Sequence, residues 1–278
     1  LASMKRVKIA AIAVVLLVAA GVVFYLFLRF AANPQWHRRL YVFQAGYSED
    51  LRLQPPDGYN GMWNNWDQEG RLVSTYAYKN GRRDGPYVTY DERGNAIAEG
   101  MYSSGEFDGI QKIRHGNGTR TEISYQNGRR NGVEKTWFAS GQIAIEAPWS
   151  NGEQEGVVTF YYEDGKIQAS IPFYAGKIEG MQKTWHEDGS LLGEENYRSH
   201  LKNGKSEFWR QDGSRDMVLN YRDDVMDGVQ TWFHPTGEKA REIVLSQGIP
   251  NGSWMEWDEK GALVVDDAYD MGELKRKD

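Results

Sequence analysis

Apolar and polar positions fall into two regimes along the chain. Ile9 to Leu28 are twenty consecutive uncharged, almost wholly apolar positions between Lys8 and Arg29. As a helix rising about 1.5 Å per residue, such a run spans roughly 30 Å, the thickness of a bilayer's hydrocarbon core. From residue 57 onward, short runs alternate apolar and polar side chains instead, best seen at Ile167, Ala169, Ile171 and Phe173. Period two is the mark of a half-buried strand.

The strand-like region repeats. Glycines stand at 61, 85, 109, 132, 156, 180, 204, 228 and 252, spaced by 24 residues with a single interval of 23. Nine residues after each comes another, at 70, 94, 118, 141, 165, 189, 213, 237 and 261. We call these the unit glycine and the loop glycine. The residue before each unit glycine is always Asn, Asp or Glu. Five residues after it stand Trp66, Tyr90, Arg114, Trp137, Tyr161, Trp185, Trp209, Phe233 and Trp257, aromatic but for Arg114. A second column holds Tyr78, Tyr102, Tyr125, Trp149, Phe173, Tyr197, Tyr221, Leu245 and Tyr269, aromatic but for Leu245. Asn-Gly and Asp-Gly pairs supply positive φ and predict tight turns, so each unit reads as a β-hairpin followed by a glycine-bearing connection. One hairpin cannot bury its aromatic face alone, so neighbours must join edge to edge.

The fold expected is an all-β repeat array. Nine 24-residue β-hairpin units form an elongated, twisted, antiparallel single-layer sheet over residues 57–278, preceded by one N-terminal transmembrane helix. Eighteen strands at about 4.8 Å spacing give a ribbon roughly 85 Å long. Residues 1–8 are a basic tail placed in the cytoplasm and 9–30 the anchor, an assignment its length favours over a cleaved signal peptide. Residues 31–56 are a linker and degenerate capping repeat, closed by Pro55-Pro56. Asp57, His200 and Asp224 stand where most units carry a further connection glycine, so the unit at 199–222 is expected to bend differently.

The frame aromatic–x–Asn–Gly–x–x–acidic–Gly–x4–aromatic–x3–Gly resembles the MORN repeat, in the bacterial variant form of the YwqK-like antitoxin component. Tyr125-Gln126-Asn127-Gly128-Arg129-Arg130-Asn131-Gly132, through Trp137 and Gly141, shows it nearly complete. The resemblance covers about residues 57–275. It implies a β-hairpin array and, by the family's use, a protein that binds a toxin or a lipid surface.

Charge narrows the choice. Residues 1–39 hold six cations and no carboxylate, which leaves 27 cations against all 39 carboxylates in residues 40–278, a formal charge of −12. Such a body disfavours nucleic acid and anionic lipid and favours a basic partner, or simply solubility. No cysteine is present, which removes disulfides, thiolate metal sites and a cysteine nucleophile.

Catalytic chemistry is not visible. His37, His115, His186, His200 and His234 have no metal-binding spacing, and no GxSxG elbow occurs. Ser199 to Ser206 ends like a phosphate-binding loop but lacks its first glycine and joins two hairpins. No cofactor, metal or small-molecule substrate is expected. Most aromatic residues belong to the array's own packing; Trp36, Trp63, Trp232 and Trp254 are the candidates for a partner-binding surface. The chain reads as a non-enzymatic scaffold in the inner membrane, its repeats on the periplasmic side, docking another protein. An immunity protein that occludes a delivered toxin is the alternative, and a lipid-binding or membrane-tethering module the second.

Overall fold

The computed structural model describes residues 55, 57–67 and 69–275. The expected tail at 1–8, the anchor at 9–30, and the capping segment 31–56 save Pro55, with Trp36 and His37, lie outside the described residues. The chain divides into two compact units, one ending at Glu106 and one running from Phe107 to Asp278. Among the described residues both are built of strands, with no helix.

In the first unit, strands Gly61–Trp66, Leu72–Lys79, Arg82–Tyr90 and Ala96–Ser103 follow one another as an antiparallel meander. The second repeats the pattern from Gly109–Arg114 and Arg120–Gln126 to Ile249–Trp257 and Leu263–Asp270. Within each unit the strands pair with their sequence neighbours, so each sheet region is open and antiparallel, as the alternating pattern predicts.

Three backbone devices recur. At the loop glycine a three-residue hairpin loop closes. The Gly165 N–H donates to the Tyr162 carbonyl and the Tyr162 N–H to the Lys166 carbonyl, at 2.9 and 2.8 Å. All nine units close in this way. Such a loop ends on a left-handed residue, which glycine adopts freely.

The connection between units is itself a tight turn, with positive φ at two successive residues, as in Asn151-Gly152 (50° and 93°). That is the primed turn suited to the right-handed twist of a hairpin. His200 (72°) and Asp224 (67°) take the glycine conformation, so the unit at 199–222 keeps the common turn and the expected different bend is corrected. Each supports its own turn: His200 Nδ1 accepts the Ile178 N–H at 3.2 Å, and Asp224 accepts the Lys202 N–H at 2.6 Å.

The third device is a bulge at the unit glycine. The residue before it breaks the ladder, as where the Glu155 N–H reaches the Pro148 carbonyl at 3.2 Å and the Glu179 N–H the Pro172 carbonyl at 3.0 Å. The Asn-or-acid column therefore precedes a bulge and does not itself adopt positive φ. In six units its side chain accepts a backbone N–H of the connecting turn 20 residues on. Glu155 takes it from Ala175 and Glu179 from Ser199, both at 2.8 Å, and Asn60 takes it from Asn80 at 2.9 Å.

The bulge exposes backbone polar groups that the core must satisfy. Gln230, fully buried, accepts the Asn220 N–H at 2.9 Å and donates to the Asn220 carbonyl at 3.0 Å. At the corresponding place in another unit stands Pro148, which has no N–H, and there an apolar residue, Val158, fills the Gln230 position.

In eight units the ladder slips by one residue near the loop, as between Phe160 and Tyr161, where Ala169 and Ile167 are the successive partners. The unit with the 23-residue interval pairs without a slip from Gly109↔Tyr125 to Arg114↔Arg120.

Two outcomes follow from these devices. Gln230→Ala takes the Gln230 acceptor from the Asn220 N–H, while the Asn220 carbonyl keeps the Asp227 N–H at 2.9 Å, and should lower unfolding free energy by about 1–3 kcal/mol, measurable by denaturant titration. Gly252→Ala meets Val244 Cβ at 2.9 Å with φ at +133°, whereas Gly261→Ala at φ +80° enters open space. Both carry backbone strain, but the first should be the more costly, by about 1 kcal/mol or more.

Candidate binding surface

Strand alternation separates two faces in each unit. On the first lie the residues two and four after the unit glycine, with the second aromatic column opposite the glycine itself. This is the packed face: Trp63, Tyr87, Val158, Ser206 and Gln230 are all buried there, at the position two after the glycine. Rings meet along it, Tyr76 stacked on Tyr87 at 5.4 Å and Trp254 against Tyr269 at 5.6 Å.

Of the tryptophans expected to meet a partner, Trp63 is 3% exposed and its indole N–H donates to Asn65 Oδ1 at 3.1 Å. It therefore belongs to the core, a correction caused by its place two residues after the glycine. Trp254 shares that column and Trp232 stands four after its glycine; both are half-buried on the packed face. They sit in one network, in which Glu256 Oε1 accepts from the Trp254 indole at 3.0 Å and from Arg241 Nε at 2.9 Å. The Arg241 guanidinium lies 6.0 Å from the Trp232 ring.

The opposite face is the one that meets solvent, and sequence reasoning missed it. One residue after each unit glycine stands a side chain that is mostly apolar and exposed. In the second unit these include Ile110 (52%), Val133 (44%), Val157 (51%) and Met181 (41%). Register places Pro148 beside Val133 and Pro172 beside Val157. Val133, Pro148, Val157, Pro172 and Met181 thus form a row across five strands, about 19 Å long at ordinary strand spacing. The legible signal was the column itself, which follows every unit glycine.

Two residues along each strand the same face turns ionic. Lys135 pairs with Glu146 at 3.0 Å and Lys183 with Glu194 at 2.7 Å. The Lys135 ammonium, then the Tyr161 hydroxyl at 2.9 Å, hold the Glu146 carboxyl below its usual range. Beyond these pairs come the aromatic residues five after the glycine, capped by cations: Arg120 over Trp137 at 4.5 Å and Lys239 over Trp257 at 5.7 Å. Apolar, ionic and aromatic rows therefore run side by side.

The hairpin-loop edge carries its own chemistry. His186 Nε2 contacts the Trp209 carbonyl at 3.3 Å and His234 Nε2 the Trp257 carbonyl at 2.8 Å, each tying one unit to the next. An acceptor carbonyl fixes the proton on Nε2 in both rings. Tyr162 and Arg210 do the same for the carbonyls of Trp185 and Phe233. Among the described residues no group of three His, Cys, Asp or Glu could hold a metal. Ser199 to Ser206 forms a turn and a strand, with Lys202 paired to Glu195 and Lys205 to Glu207.

The fold and its recurring turns define an all-β repeat protein built of β-hairpins. A family model, the MORN repeat variant, matches residues 130–151, 154–173 and 178–199. Comparison with curated proteins gives no match. Among solved structures, the chain is similar to part of the crystal structure of TcdB2-TccC3-Cdc42, at 13% identity and a TM-score of 0.17. That similarity covers 77% of this chain and 14% of the other, and a score so low carries no argument.

The loop edge supplies a pH prediction. Hydrogen bonds from the Ser190 hydroxyl and amide hold the Asp188 carboxyl at about 2, against an ordinary 3.8. The folded value lies below the unfolded one, so this stabilisation is complete above about 3.8 and fades as pH falls towards 2. Asp188→Asn should lower thermal stability at neutral pH, and its difference from the parent should shrink as pH falls through that window. Identical slopes for the two proteins would refute the assignment.

Proposed function

We propose that this chain is a membrane-anchored, non-enzymatic scaffold that docks a partner protein in the cell envelope. The observation that carries the reading is the row Val133, Pro148, Val157, Pro172 and Met181, in which Val133, Val157 and Met181 are exposed and the two prolines between them half-buried. Side chains of this kind in register on a rigid sheet are suited to an apolar contact on another protein. Neighbouring ion pairs satisfy their own charges and leave the apolar row as the desolvated centre. The acidic body favours a partner whose rim is basic. Ile9–Leu28 would hold the array at the inner membrane, with the repeats on the periplasmic side.

Two kinds of partner fit. A subunit of an envelope complex makes the array a docking ruler, and a delivered toxin makes it an immunity protein acting by steric occlusion. The family resemblance favours the second. A lipid surface is disfavoured by the carboxylates that border the row.

The test is a gentle-detergent pull-down of the full chain from native membranes, beside the Val157→Asp variant. Val157 is half-exposed, so the variant should keep its fold, within about 0.5 kcal/mol, while partner affinity falls about tenfold or more. A stoichiometric soluble basic protein lost from the variant identifies a neutralised partner; a set of membrane proteins lost from it identifies an assembly scaffold. Equal recovery with both chains would overturn the role of this row.

A further inference from the structure

The packed face of the first unit carries a cation that has no carboxylate partner among the described residues. Two residues before three of the unit glycines stand Arg83, Arg130 and Lys202. Each lies over the aromatic ring 19 residues later: Arg83 at 5.3 Å from Tyr102, Arg130 at 4.6 Å from Trp149, Lys202 at 5.3 Å from Tyr221. In two of the three a carboxylate completes the arrangement. Glu134 meets Arg130 at 2.9 Å, and Glu195 meets Lys202 at 2.5 Å.

Arg83 has neither carboxylate. The residue equivalent to Glu134 is Tyr87 and the residue equivalent to Glu195 is Tyr76, and the two rings stack on each other. The Arg83 guanidinium rests on the Tyr76 ring at 4.1 Å. It donates from Nε to the Tyr78 hydroxyl at 3.5 Å and from the NH1 nitrogen to the Tyr102 hydroxyl at 3.2 Å. No carboxylate among the described residues pairs with it. Two of a guanidinium's five N–H donors are thus used, on neutral oxygens, and the rest of a fork suited to a planar oxyanion is left over.

We infer that Arg83 is the centre of an oxyanion-binding site, taking a carboxylate or phosphate group in the place that Glu134 and Glu195 fill in the other two units. A half-buried guanidinium among rings gains more from such a partner than an exposed one, because water competes less. The acidic body opposes free anions at long range. The ligand favoured is therefore an oxyanion carried on a ring, whose body packs against the tyrosines while its charge meets the guanidinium. This inference does not depend on the partner reading, which uses the opposite face and the other unit.

Two probes separate a bare anion from a ring-borne one: inorganic phosphate and phenyl phosphate, each titrated into the full chain while the arginine Nε–H resonances are followed. Phenyl phosphate should shift the Arg83 resonance saturably and bind more tightly than inorganic phosphate. Arg83→Gln should weaken binding at least about tenfold, as loss of a charged hydrogen-bond donor does. Tyr87→Glu copies the four-residue spacing of Arg130 and Glu134, so it should fill the site internally and abolish binding. Glu134→Gln should do the converse and make Arg130 respond to the probe. Val157→Asp should bind the probe as the parent does. Equal affinity for the two probes would overturn the role given to the rings. An Arg83 resonance that never saturates, or binding that survives in Arg83→Gln or in Tyr87→Glu, would overturn the site.

Discussion

Each connecting turn donates a backbone hydrogen bond to the strand one unit earlier, and the rest of the structure depends on that contact. Gly152 reaches the Arg130 carbonyl at 2.8 Å, Gly176 the Gln154 carbonyl at 3.0 Å, and Gly248 the Met226 carbonyl at 2.8 Å. The bond forms only if two successive turn residues adopt positive φ, which fixes the turn type and with it the step between units. The Asn-or-acid column then acts from the other side, its side chains accepting the N–H of the preceding turn residue. Where both bonds form, two per step hold neighbouring hairpins in one register. A one-residue slip would exchange the faces and place Val157 where Val158 now lies.

That fixed register is what allows the two faces to differ so sharply. The packed face can tolerate polar residues such as Gln230 because the bulge offers them backbone partners. Ser206 and Val158, at the same place in other units, are buried almost as fully and face different local needs. The solvent face has no such freedom of content. Its apolar, ionic and aromatic rows are spaced by two residues along the strand, and each row extends only as far as consecutive units carry the same kind of side chain.

Much of the fold was legible in the sequence because glycine spacing reports backbone conformation directly. The hairpins, their loops and the antiparallel order follow from the 24-residue interval. The faces were harder to read. The column two after the glycine runs Trp63, Tyr87, Gln111, Glu134, Val158, Gln182, Ser206, Gln230, Trp254, buried at six places and half-buried at Glu134, Gln182 and Trp254, and no scale of hydropathy marks it as a core. Trp63 lies outside the regular aromatic columns, which suggests surface; its burial follows from its parity with the unit glycine. The Asn-or-acid column was read as a turn signal, although its side chains bond to a turn 20 residues away, a relation that residue type alone does not express. Arg83 was silent in sequence since its peculiarity is the absence of a partner that two other units possess.

The unit with the 23-residue interval shows which position in this repeat is dispensable. Eight units carry a residue that their ladder steps over near the loop, and the ninth omits it and pairs without interruption. The omission costs no neighbouring contact, because the connecting turn after it still bonds back, from Gly128 to the Phe107 carbonyl at 2.9 Å. Length variation among such repeats can therefore accumulate at one address without disturbing assembly, much as a slack link absorbs error in a chain. For those who would lengthen, shorten or graft arrays of this kind, that address is where a unit can be cut to fit.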